Sequence, residues 1–116
     1  YLLPVPLFSS RLRQRGYNQS ELLARGISRV TGIPLCTDAV VRSRNNATQT
    51  HKSGYARWQN VDRLFLSTPH AANLHDKHIL LVDDVLTTGA TLVACADALL
   101  GVENIKISVL TLAWAR

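Results

Sequence analysis

The sequence predicts a single α/β domain built from about five mostly parallel strands with flanking helices. Three observations lead there. Strand-like and helix-like segments alternate along the chain, the pattern left by crossover connections. The run Ile79-Leu80-Leu81-Val82 is continuously apolar rather than alternating, as a strand covered on both faces requires. A chain of 116 residues that is 47% hydrophobic suffices for one core and leaves no room for a second domain.

The elements follow in order. Residues 2–7 read as a short strand, which Pro4 and Pro6 confine to an unusual or ligand-facing end. A polar, Arg-rich loop over 8–17 leads to Asn18, which with Glu21 forms a capping box in which Asn replaces Ser/Thr. Leu23, Ile27 and Val30 then recur at helical spacing, and Gly32 and Pro34 end the helix. Residues 35–41 form a second strand candidate, whereas 43–60 are polar, basic and poorly periodic: an active-site loop or a disordered excursion. Residues 61–67 suggest a returning strand and 68–76 a turn-rich connection. The strand at 79–83 is followed by a helix over 90–100 with Leu92, Ala96 and Leu99 inward, stopped by Gly101, and 105–114 supply the last strand.

Charge is uneven. Through Arg63 the chain carries ten Lys/Arg against three acids, and from Leu64 onward three against five, which together give the net +5. A basic half suits a polyanion such as diphosphate or nucleic acid, or is simply a solvated surface. Cys36 and Cys95 lack Cys-x-x-Cys spacing and read as buried, reduced thiols. No apolar span of ~20 residues occurs, so no membrane helix is expected. The opening Tyr-Leu-Leu-Pro-Val-Pro lacks the basic start of a signal peptide. Together these features favour the cytoplasm.

The most informative segment is His78 through Thr91. Its apolar strand delivers Asp83 and Asp84 to a carboxyl end, where open α/β sheets bind ligands. Thr87-Thr88-Gly89-Ala90-Thr91 then lets backbone N–H groups converge on an anion at a helix start. A Walker P-loop is excluded because no Lys lies between Lys77 and Lys106. The segment resembles the signature of type I phosphoribosyltransferases for 5-phosphoribosyl 1-diphosphate (PRPP). That resemblance implies that Asp83 and Asp84 hold the ribose hydroxyls, directly or through water and Mg²⁺. It likewise implies that Thr87, Thr88, Gly89, Ala90 and Thr91 hold the 5-phosphate.

Four blocks narrow the resemblance: Pro4-Val5-Pro6-Leu7, Arg15-Gly16-Tyr17-Asn18-Gln19, Gln49 with Arg57 and Asn60, and the PRPP signature. In this order they resemble the competence protein F (ComF) family of phosphoribosyltransferase-like proteins. The resemblance makes Leu7, Phe8, Ser9, Ser10 and Arg11 the diphosphate-gripping loop, with Arg13 and Arg15 adding charge in a form suited to two parallel bonds to phosphate. It makes residues 44–60 a flexible loop that shields the reaction, with Lys52 and Arg57 reaching the departing diphosphate. The family commonly carries an amino-terminal four-cysteine zinc module, which the sequence as given does not show. Thr87 stands where 6-oxopurine salvage enzymes place an Asp base, which disfavours hypoxanthine or guanine as acceptor.

Two functions follow as expectations. The first is Mg²⁺-dependent transfer of phosphoribosyl from PRPP to a nitrogen acceptor with release of diphosphate. The second is non-catalytic: a PRPP sensor, or a module that binds single-stranded DNA or a DNA-processing protein during DNA uptake. Assembly into a homo-oligomer is compatible with either.

Overall fold

The computed structural model describes residues 1–7, 14, 16–43 and 64–115. Its elements are β1 (Leu2–Pro4), α1 (Gln19–Thr31), β2 (Val40–Arg42), β3 (Phe65–Ser67), a 3-10 helix (Pro69–Leu74), β4 (His78–Leu86), α2 (Ala90–Asp97) and β5 (Lys106–Trp114). Strands β1, β4 and β5 form a parallel sheet in that spatial order, and β2 pairs antiparallel with β3 in a separate two-stranded sheet. The expected α/β architecture with a mostly parallel sheet is therefore present. No helix among the described residues is long and apolar enough to cross a membrane.

Strand β4 is the core of the domain because it has neighbours on both edges and helices on both faces. Ile79, Leu81 and Val82 are fully buried. Leu2 and Val82 pack with Ala24, Leu23 and Ile27 of α1 on one face. Leu3, Ile79 and Leu81 pack with Leu92, Cys95 and Leu99 on the other. Cys36 and Cys95 are both buried and free, as the sequence suggested.

Several boundaries differ from the sequence reading. The expected strand over 35–41 contributes one parallel bridge, Leu35 to Leu2, before the chain departs. The reason lies in β1. Leu2 faces that side, donating to Pro34 O at 2.8 Å and accepting from Cys36 N at 2.8 Å. Strand alternation turns Pro4 to the same side, and its ring nitrogen has no N–H to continue the ladder. The chain pairs instead at 40–42 with β3, where Phe65 is buried and Leu66 exposed.

In α1 the inward stripe is Ser20, Leu23, Ala24 and Ile27, whereas Val30 is 86% exposed. At 3.6 residues per turn Val30 lies just beyond Leu23 at the rim of that stripe, about 70° from its middle. Gly32 closes the helix in the left-handed conformation (φ 78°), its N–H donating to Ser28 O at 2.8 Å. Helix α2 ends at Asp97 rather than at residue 100; its buried residues are Leu92 and Cys95, joined by Leu99 in the turn that follows, with Ala96 only partly buried.

Candidate functional site

The two crossovers run in opposite directions. From β1 the chain passes through α1 to the Leu35 bridge on one side, and from β4 it passes through α2 to β5 on the other. Right-handed connections then place the helices on opposite faces, and the carboxyl ends of β1 and β4 flank a topological switch point. Such a point opens a crevice where no connection covers the sheet.

Asp83 and Asp84 lie there, although not at the end of their strand: β4 continues to Leu86 because β5 pairs with it as far as Trp114. Strand β1, in contrast, pairs no further than Pro4 opposite Val82, so the acids border β4 where that neighbour has stopped. The backbone also changes parity across the acids. Lys106 N donates to Lys77 O and Ala115 N to Leu86 O, nine residues further along both strands. An uninterrupted parallel ladder keeps such donors an even number apart. On the β1 side Val82 O still accepts regularly from Val5 N, so the switch falls between Val82 and Leu86. Within it Asp84 N donates to Asp83 Oδ1 at 2.9 Å, and Val85 N to Asp84 Oδ1 at 2.8 Å.

Asp83 Oδ1 takes a second hydrogen bond, at 2.9 Å, from the hydroxyl of Ser20. Burial pushes the Asp83 carboxyl above its usual range, offset by the Ser20 and Asp84 donors and reinforced by the neighbouring Asp84 charge. Burial, with the Asp83 charge adding to it, pushes the Cys95 thiol up to about 12. A thiol held protonated in this way is a packing group rather than a nucleophile.

The turn after β4 meets the same spot. Asp83, Thr87, Gly89 and Thr91 line one small pocket of about 20 Å³ together with Val85, Leu86 and Leu92. Gly89 has φ +86°, a conformation that suits glycine, and a Cβ there would meet only Leu86 Cδ1 at an ordinary 3.8 Å. It starts α2 without a side-chain cap. The first-turn N–H groups of a helix have no intrahelical acceptor, and here, among the described residues, only Ala90 N finds a side chain, Thr88 Oγ1 at 3.2 Å. Asp84, Thr88 and Ala90 stand beside the pocket without lining it.

A larger cleft of about 570 Å³ adjoins this crevice at the exit of β1, bordered by Pro6, Leu7, Tyr17, Asn18, Glu21 and Arg42. Asn18 fastens it: Nδ2 donates to Val5 O at 3.1 Å, while Oδ1 accepts from Ser20 N at 2.9 Å and Glu21 N at 3.4 Å. The capping box is thus half formed. Glu21 turns toward Arg25, and its Oε2 accepts from both Nε and Nη2 of that residue, at 3.2 and 3.1 Å, instead of reaching back.

The structure therefore brings Asp83 together with the 87–91 turn and sets Leu7 in the adjoining cleft. Phe8, Ser9, Ser10, Arg11, Arg13, Arg15, Lys52 and Arg57 lie outside the described residues. Sequence reasoning missed Ser20. Its signal was a small polar residue on the stripe shared with Ala24 and Ile27, a position that a helix facing the sheet buries.

The acids suit a hard divalent cation. Both protein donors to Asp83 reach Oδ1 and the donor to Asp84 reaches its Oδ1, so each residue keeps one carboxylate oxygen without a donor among the described residues. No group of three or more His, Cys, Asp or Glu side chains gathers among the described residues, so a bound Mg²⁺ would take most of its shell from water and substrate oxygens.

Comparison with known proteins adds the following. The phosphoribosyl transferase domain family matches residues 17–115. Competence protein F of Haemophilus influenzae is 38% identical over 108 residues, covering 91% of this chain and 47% of that protein. The DNA utilization protein YhgH of Escherichia coli K12 is 38% identical over 100 residues, covering 85% and 42%. Competence protein ComFC of Bacillus subtilis is 35% identical over 99 residues, covering 85% and 38%. The chain thus spans less than half the length of these relatives.

Proposed function

Because the chain belongs to the ComF family of phosphoribosyltransferase-like proteins, we propose that it binds PRPP across the β1–β4 crevice and transfers the phosphoribosyl group to a nitrogen acceptor. The observation that carries this reading is the meeting of Asp83 with Thr87, Gly89 and Thr91 in one pocket at the switch point. The uncapped start of α2 suits the 5-phosphate, since its N–H groups and dipole favour an anion. Asp83, with Asp84 beside it, would accept from the ribose hydroxyls and hold Mg²⁺ largely through water. The metal would neutralise the diphosphate as it leaves C1 of the ribose, where the nitrogen enters with inversion. The protein would contribute position and electrostatics: the segment from Leu7 to Arg11 toward the diphosphate, and Lys52 and Arg57 toward its departing charge.

Calorimetric titration with PRPP, with and without Mg²⁺ and with ribose 5-phosphate as control, tests the reading. Metal-dependent micromolar affinity is expected, and replacing both Asp83 and Asp84 with Asn should lower it more than about a hundredfold while the fold persists. Unchanged affinity in that double variant would sink the assignment.

A second reading rests on the names of the relatives, which concern competence and DNA utilization, and on the excess of Lys and Arg through residue 63. In it the domain binds single-stranded DNA, with PRPP as a sensed ligand. Affinity for an oligonucleotide should then fall by roughly one log unit per log of salt for each phosphate neutralised. Absence of binding at low salt removes this option.

A further inference from the structure

Ser20 is the one buried polar or charged residue among those described, 5% exposed, and its hydroxyl lies 2.9 Å from Asp83 Oδ1 across 63 positions of sequence. Two residues earlier, Asn18 Nδ2 holds Val5 O at 3.1 Å. A single turn of α1 therefore grips both strands of the switch point, β1 through Asn18 and β4 through Ser20. The contact to β4 lands on the acid itself, and it lands where the strand cannot fix that side chain alone. The ladder switches between Val82 and Leu86, and β1 has already ended opposite Val82. What holds the Asp83 carboxylate in rotation is the pair of donors on Oδ1, Ser20 Oγ and Asp84 N.

We infer that Ser20 is a positioning residue for ligand binding: by occupying Oδ1 from the α1 side it presents the other carboxylate oxygen of Asp83 to the ribose and its metal shell. This rests on the PRPP reading above. A merely structural Ser20 would support the packing of α1 on the sheet and leave ligand affinity alone. Local geometry separates the two roles, because Ser20→Ala keeps the Asn18 cap, whose bond goes to the backbone N–H of Ser20.

The test is calorimetric titration of the parent, Ser20→Ala, Asp83→Asn and the double variant with Mg²⁺ and three probes: PRPP, ribose 5-phosphate and inorganic phosphate. Thermal unfolding of each is recorded alongside. Ser20→Ala should weaken PRPP and ribose 5-phosphate about tenfold and leave inorganic phosphate unchanged, since the α2 cradle is intact. In the Asp83→Asn background the same change should alter sugar-phosphate affinity less than twofold, because contacting groups couple and independent ones do not. Ser20→Thr, which keeps the hydroxyl, should restore the affinity lost in Ser20→Ala. Full affinity in Ser20→Ala, or equal losses with and without Asp83, overturns the proposal while the PRPP reading stands. A parent that binds none of the three probes overturns both.

Discussion

Two helices begin at the same edge of the sheet, and they begin differently. Helix α1 is closed by its own chain: Asn18 accepts from two first-turn N–H groups and anchors the start to Val5. Helix α2 opens on Gly89 with no side-chain cap, next to two acids and three threonines. The capped start adds stability, whereas the open one suits the anion proposed for it, because an N–H already satisfied from within has little left to offer a ligand. The difference also separates stability from binding in a measurable way.

The largest effect on that comparison should come from Asn18→Ala. It removes a cap and a strand anchor together and should cost about 2 kcal/mol in chemical denaturation, with inorganic phosphate affinity unchanged. Gly89→Ala comes next. The strained φ should cost about 1 kcal/mol, and the re-angled turn should weaken phosphate binding in parallel, a joint loss that Asn18→Ala lacks.

Asp83→Asn should separate the two quantities in opposite directions, with PRPP affinity lowered and stability gained. The sign follows from burial. The folded carboxyl titrates above its unfolded value, so the native state holds more protons in the window between them, and the parent loses stability as pH rises through it. Asn carries no such charge and its Oδ1 still accepts from Ser20. Its advantage in thermal unfolding should therefore grow as pH rises from the unfolded toward the folded pKa of Asp83, level off above it, and vanish below the unfolded pKa. Thr88→Ala should have the smallest effect, about a threefold loss of phosphate affinity with little change in melting temperature, since the backbone cradle survives without that hydroxyl.

The sequence made the strand at Ile79-Leu80-Leu81-Val82, the Asn18 start of α1 and the α/β class readable, because each is written in local pattern: an apolar run, a cap, an alternation of periods. What it concealed was set by distant partners. Strand β4 outruns its apolar core because β5 continues to pair with it. The pairing of residues 40–42 with β3 depends on a ladder that Pro4 declines to extend. Ser20 reads as an ordinary first-turn serine until the fold brings Asp83 to it. In the candidate site the acids and the threonine-rich turn were legible as a motif, whereas the hydrogen bonds that orient the acids were not.

The change of parity in β4 also sets a clock. As far as Val82 the amides of this strand are locked between two neighbours, whereas those of Asp84 and Val85 close onto carboxylates one residue back. A side chain can release its amide by rotating a single bond, without unfolding the sheet. Deuterium should therefore enter Asp84 and Val85 by local opening and reach Leu80 and Leu81 only when the whole domain opens. One strand would then keep two times, the faster at the acids.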